Sequence, residues 1–282
     1  MSWFVYSLIS VLFFTANNLF LRLLAVKSEN PRTSSMVFNL WGALFGFLLF
    51  LIDTNFSFSF PAISLTGWFY ILLVVLFYGL YERSHFYVRK EVDASTATIL
   101  FRLAPVIAFF GAIYLYSEQL TLLKVLGALL IVGANILVVY KKGSVSFDKN
   151  FVLAFACSLF LGLGWLLDKR ASSFTTSEFY TALIWFLPII FIFLPFISLK
   201  DIKREFKLGS WKSPLTAFFN VYGYYLYIKA LSLGEASKVT VVVSTSSSLT
   251  ILAGIVILHE KSHWRLKILA GILAFVGVLL LK

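Results

Sequence analysis

Residues 93–118, DASTATILFRLAPVIAFFGAIYLYSE, have a weak second copy at 235–260, EASKVTVVVSTSSSLTILAGIVILHE. At a shift of 142 residues Asp93-Ala94-Ser95 falls on Glu235-Ala236-Ser237, Thr98 on Thr240, Ile113 on Ile255 and Glu118 on Glu260. Further along, after a small insertion, Gly127 and Gly133 match Gly271 and Gly277, again six apart. Near the start of each half Phe4-Val5 matches Phe151-Val152. The chain therefore reads as two halves, residues 1–142 and 143–282, with the same order of segments.

Those segments are apolar. Ten runs lie near 2–26, 34–52, 65–88, 94–116, 119–140, 150–168, 178–198, 213–233, 237–258 and 264–281. A spanning helix needs about 20 apolar residues, and open strands cannot cross lipid because their backbone groups would go unpaired. The 282 residues are 60% hydrophobic and 13% charged, and mean hydropathy is +0.91. That excludes an ordinary soluble domain, which has about 25% charged residues, and excludes disorder, which needs low hydrophobicity. The reading is an all-α membrane protein of ten transmembrane helices. Five helices per half is an odd number, so the halves must lie inverted in the bilayer, the plan of many secondary transporters with a midplane site between halves. The start at Met1 lacks the basic residues and cleavage site of a signal peptide and reads as a retained first helix. Cys157 is the single cysteine, so no disulfide forms within the chain.

The net charge of +11 fits lysines and arginines gathered in loops at the cytoplasmic leaflet better than a nucleic-acid partner. Odd-numbered connections hold most of them, including Lys141, Lys142, Lys200, Lys203, Arg204 and Lys207. By the positive-inside rule these connections, and not the termini, face the cytoplasm.

The same residues carry a family resemblance over essentially the whole chain. Asp-Ala-Ser at 93–95 and Gly-Glu-Ala-Ser at 234–237 open the fourth segment of each half. Pro105 lies inside it, Glu118 and Glu260 close it, and a Gly-x5-Gly segment follows. This resembles the EamA type of the drug/metabolite transporter superfamily. Ser247 departs from the pattern where the second half is expected to carry the proline. The resemblance implies a ten-helix carrier of small organic metabolites that works by alternating access without ATP. It also implies both termini inside, against the charge rule.

Polar residues deep in apolar runs are expensive and mark function. Glu82 lies nine residues before the turn near residue 91 and Arg102 eleven after it. Both are then at roughly 13–17 Å depth and can meet across the hairpin. They read either as a buried ion pair or as cavity groups, with Arg102 binding a carboxylate or phosphate and Glu82 an amine or proton. Ser244 and Tyr224 occupy the corresponding positions of the second half. Tyr78, Glu82 and His85 share one helical face, which makes Glu82 and His85 candidates for proton coupling. Asn17, Trp41, Trp165, Trp185 and Asn220 complete a candidate polar and aromatic lining for a substrate. One of Asn17 and Asn18 is expected to bond a neighbouring helix. The hydroxyl run at 244–248 is expected to bond backbone carbonyls one turn back. Glu118 and Glu260 read as caps or gate contacts, and Gly127, Gly133, Gly271 and Gly277, with Asn135, as helix packing. Asp168 reads as a helix-end residue, and no Gly/Pro-broken helix pair is evident that would hold sodium.

No Gly-x-Ser-x-Gly, phosphate loop or paired histidines suggest an enzyme. His85, His259 and His263 are too scattered for a metal site. The expected function is a secondary transporter for a small polar or amphiphilic metabolite, with amino acids as the best single guess. Organic cations such as quaternary amines come second, served by the aromatics and Glu82. A membrane-embedded enzyme or lipid-binding protein is the remote rival. Neither a cofactor nor a metal is expected. The expected partners are a small-molecule substrate, membrane lipids and, as coupling ion, protons. The chain is expected to be multi-pass in the cell membrane, as a monomer or weak dimer.

Overall fold

The computed structural model describes residues 1–92, 100–139, 149–257 and 264–282. The helices are α1 (Trp3–Lys27), α2 (Pro31–Asp53), α3 (Leu65–Glu91), α4 (Leu103–Leu115), α5 (Leu122–Val139), α6 (Lys149–Ser172), α7 (Ser177–Phe186), α8 (Ile189–Phe193), α9 (Leu199–Gly209), α10 (Lys212–Leu233), α11 (Ala236–Ser244), α12 (Ser246–Ile257) and α13 (Trp264–Leu281). Their starts follow from local chemistry. Asn30, Ser64 and Thr176 each accept a hydrogen bond from the backbone N–H three residues on, which satisfies a donor the helix itself cannot pair. Pro31 adds a pre-set φ at the first position of α2.

Among the described residues, Trp3–Leu21, Pro31–Asp53, Leu65–Glu91 and Lys149–Ser172 are each long and apolar enough to cross a membrane. Leu103–Leu115, Leu122–Ala134, Ser177–Phe193 and Ile268–Leu281 are shorter apolar helices. The outward faces are apolar as well. Leu12, Leu72, Phe110, Leu129, Val152 and Phe275 are exposed, an arrangement suited to lipid.

The core sits where α2, α3, α6, α7 and α10 meet, around Phe38, Ile71, Val74, Tyr180, Val221 and Ile228. α1 packs on α10, α3 on α6, α2 on α7, α5 on α13, and α4 on both α6 and α11. Two glycines permit the closest approaches. A Cβ on Gly42 would stand 2.0 Å from the Trp185 ring, so the indole fills the place of a side chain on α2. A Cβ on Gly127 would stand 2.9 Å from the carbonyl oxygen of Gly277, and the reverse distance is 2.8 Å. The α5–α13 crossing is thus a glycine contact, as expected. Gly133 has nothing within 4 Å of its Cβ position and plays no such part. The side chain of Asn135, and the residues Glu260, His259, His263, Asp93, Ser95 and Thr98, lie outside what is described.

Several apolar runs are not single helices. The fourth run turns at Arg102, after helical residues 100–101, before α4 begins. The ninth turns at Thr245, between α11 and α12. These are corresponding places in the two halves, so the missing proline at Ser247 does not prevent a matching break. Hydroxyls do the work instead. Ser244 Oγ donates to the Val241 carbonyl and Thr245 Oγ1 to that of Val242, both at 2.7 Å, while Thr245 N reaches Val242 O at 3.0 Å, one residue short of the α-helical partner. Such back-bonding bends helices. The two breaks come without a glycine or proline at the turn itself. The seventh run is divided at Leu187-Pro188, and the loop after it contains α9, an amphipathic helix that hydropathy alone passes over. Ile202 and Glu205 of α9 are buried, whereas Lys200, Lys203, Arg204 and Lys207 are exposed.

Candidate functional site

The polar groups separate into two layers along the bundle. One lies towards the end that carries both termini, where Lys238 stands over Trp3 and Lys282 over Phe4. The other lies towards the opposite end, where Glu205 Oε1 accepts from the backbone of Glu29 and Asn30 at 3.1 and 2.9 Å and so docks α9 onto the α1–α2 turn.

At the terminal end Asp168 is fully buried. Its Oδ2 accepts from Tyr78 at 2.6 Å, and its Oδ1 from Tyr180 and Tyr224, each at 2.7 Å. One carboxylate thus ties together α3, α6, α7 and α10. This corrects the reading of Asp168 as a helix-end group, since α6 continues to Ser172. Tyr227 lies beside the cluster, with its ring 6.0 Å from that of Tyr224 and 6.2 Å from Trp165. Glu178 is 2.7 Å from Lys229 and accepts from Tyr225 at 2.8 Å.

Glu118 closes the same end. Its two oxygens accept from the backbone N–H of Ala236 at 2.6 Å and of Ser237 at 3.0 Å, and from the Ser237 hydroxyl. Lys169 stands 3.3 Å away and also donates to the Gly234 carbonyl. The carboxylate that ends α4 is thus the N-terminal cap of α11, as the cap reading expected. Burial alone would raise its pKa. The Ser237 hydroxyl, the two backbone N–H groups and Lys169 outweigh burial and hold it below its ordinary 4.5. A depressed carboxylate contributes stability above its unfolded pKa and loses it as the pH falls through the folded value. Glu118→Gln should therefore lower stability by about 1–2 kcal/mol at pH 7. The gap in melting temperature between it and the parent should narrow as pH is lowered below 4.5. A gap constant from pH 7 to pH 3 would contradict the cap.

Towards the opposite end, Glu82 Oε2 accepts from Asn39 Nδ2 at 2.8 Å and from Ser35 Oγ at 3.3 Å. His85 Nδ1 stands 3.4 Å from the same oxygen, and its ring stacks on Tyr81. Arg102 donates instead to Ser247 of α12. The expected meeting of Glu82 and Arg102 is thus not found. Equal depth along two helices says nothing of the direction each side chain takes, and here they turn to different neighbours.

The remaining candidates are dispersed. Asn18 reaches Thr250 of α12 at 3.4 Å, the neighbouring-helix bond expected of one asparagine. Asn17 is buried with its side-chain oxygen unpaired. The indole N–H groups of Trp41 and Trp185 are likewise buried without partners. Trp41 rests on Phe45 and Phe206, Asn220 is half-buried on α10, and Ser244 bonds its own helix. Tyr78 and Tyr224 belong to the Asp168 cluster rather than to Glu82. Among the described residues no group of three His, Cys, Asp or Glu could hold a metal.

An all-helical bundle with an apolar outer surface and buried charged groups between its helices is an integral, multi-pass membrane protein. The EamA-like transporter family model matches residues 1–140 and 149–282. The chain belongs to that family, and so to the drug/metabolite transporters. A search of curated proteins finds no match. A solved structure titled "Crystal structure of protein" is similar over 98% of this chain and 97% of its own, with 15% identity and a TM-score of 0.73. At that identity the likeness concerns fold alone.

Proposed function

We propose that the protein is a secondary transporter that moves a small polar or amphiphilic metabolite, amino acids among them, across the cell membrane by alternating access. In this reading residues 1–142 and 143–282 are inverted five-helix repeats of a ten-span carrier. The pairing of helices supports it. α1 against α10 mirrors α6 against α3, while α2–α7, α4–α11 and α5–α13 are self-paired. The observation that carries the substrate role is Arg102, which sits at the break of one half and bonds Ser247 just past the break of the other. The exposed lysines of α9 join the loop charges in supporting a cytoplasmic opposite end.

A second reading, transport of an organic cation, is favoured by Glu82 beside His85, whose ring stacks on Tyr81, since aromatic faces and a carboxylate suit a quaternary amine. That the family is one of transporters supports a role other than catalysis.

The coupling group in the main reading is Glu82, with His85 beside it. The paired breaks at Arg102 and Thr245 are the kind of element that holds sodium in other carriers, and sodium is the rival ion in the test. Uptake into proteoliposomes should be saturable and driven by an imposed pH gradient, and Glu82→Gln should remove that drive. Accumulation driven by sodium, or pH-driven accumulation that survives Glu82→Gln, would end the assignment. Unsaturable flux would end the carrier reading itself.

A further inference from the structure

We propose that the site takes a small dianion, with Arg89 as a second cation beside Arg102. This deepens the transporter reading above and rests on it. Most charged groups inside the bundle are matched. Lys169 has Glu118, Lys229 has Glu178 and Lys124 has Glu235. Arg32 and Arg83 are spent on the carbonyls that end α8, with Ile192 O and Phe191 O each 2.7 Å away. Among the described residues, Arg89 and Arg102 meet only neutral hydroxyls, Tyr81 for the first and Ser247 for the second. The Nε of each is buried without a hydrogen-bond partner.

The two lie close in the fold. Arg89, near the end of α3, has its guanidinium carbon 5.4 Å from the centre of the Phe101 ring, the residue before Arg102. Phe101 and Tyr81 pack against each other, their ring centres 6.4 Å apart. Arg102 follows at the start of α4, where no side chain caps the first backbone N–H groups. Glu82, two turns before Arg89, is the acid facing this region among the described residues. It is already held by Asn39 and Ser35. Among the described residues, one carboxylate against two guanidiniums leaves an excess positive charge in a poorly solvated place, which is costly unless an anion comes.

The geometry of the donors selects the anion. Each guanidinium presents a planar fork that matches two acceptor oxygens. A monocarboxylate has one charge and two oxygens and satisfies one fork. A phosphomonoester or a dicarboxylate carries two negative charges and enough oxygens for both. The shared chemistry is the pair of charges.

Binding measured directly on the purified full-length chain tests this. The probes are inorganic phosphate, glycerol phosphate, succinate and butyrate at constant ionic strength. At least one dianion should bind about tenfold or more tightly than butyrate. Arg89→Gln should weaken that dianion about ten- to a hundredfold and butyrate less, so that the preference collapses. Arg89→Lys, which keeps the charge and loses the fork, should recover part of it. Glycerol phosphate or phosphate binding without succinate identifies the phosphoryl group, and the reverse identifies the dicarboxylate. The proposal is overturned if butyrate binds as well as every dianion, if no probe binds, or if Arg89→Gln keeps the full preference. Should Arg89→Gln not fold, the parent's preference and Arg89→Lys decide. A chain that binds dianions yet moves none into proteoliposomes would instead refute the transporter reading.

Discussion

Asp168→Ala is expected to destabilise the fold by about 3–5 kcal/mol, because it strands three buried hydroxyls at once, each worth ~1–3 kcal/mol when left unpaired. Tyr78, Tyr180 and Tyr224 come from three different helices and share this one acceptor. Water cannot readily replace it in a core where Asp168 has no exposed surface. Asp168→Asn keeps one acceptor oxygen and should lose less. The measurement is the thermal unfolding midpoint of purified protein in one detergent, with accumulation in membranes alongside. An alanine variant as stable as the parent would show that the tyrosines find other partners and that the cluster holds nothing together.

Arg102→Ala is the second large effect, and it should fall on transport rather than folding. The guanidinium gives up its bond to Ser247 and its unpaired Nε. A half-buried hydroxyl is left behind, a modest cost of about 1 kcal/mol. Loss of a fork to an anionic group should reduce apparent affinity about ten- to a hundredfold, enough to silence uptake at ordinary substrate concentrations. Arg102→Lys should fall between. Normal uptake by Arg102→Ala would remove this residue from the site. Since Glu82 is bonded to Asn39 and Ser35 rather than to Arg102, adding Glu82→Ala should not rescue the variant.

What could be read from residues alone was whatever depended on local pattern. Apolar length marked helices, and Asp93-Ala94-Ser95 and Glu235-Ala236-Ser237 suggested a repeat. Glu118 was recognisable as a cap, since a carboxylate at a helix end suits an uncovered N-terminus nearby. Asp168 was missed because Asp168-Lys169-Arg170 looks like the polar end of an apolar run. Its partners lie 90, 12 and 56 residues away. A signal was present in three tyrosines within apolar runs, each needing a hydroxyl partner. Arg89 likewise falls just past the apolar run that ends near residue 88, although α3 runs on to Glu91. The break at Thr245 was half legible. The hydroxyl run announced bonds to the preceding turn, but whether such bonds bend a helix depends on the backbone they replace, and here Ser244 Oγ takes the Val241 carbonyl while Thr245 N moves to Val242.

The cap made by Glu118 has a mechanical consequence. It welds the inner pieces of two divided helices, α4 and α11, into one block at the terminal end, while α12, beyond the break at Thr245, is an arm hinged to that block. Prising the terminal end apart means rupturing a charged weld and unseating Asp168 from its tyrosines. Neither contact involves α12. α12 is moored more lightly, by Arg102 on the Ser247 hydroxyl and by Thr15 on the Ser246 carbonyl, so the two ends of the bundle differ in what it takes to part them.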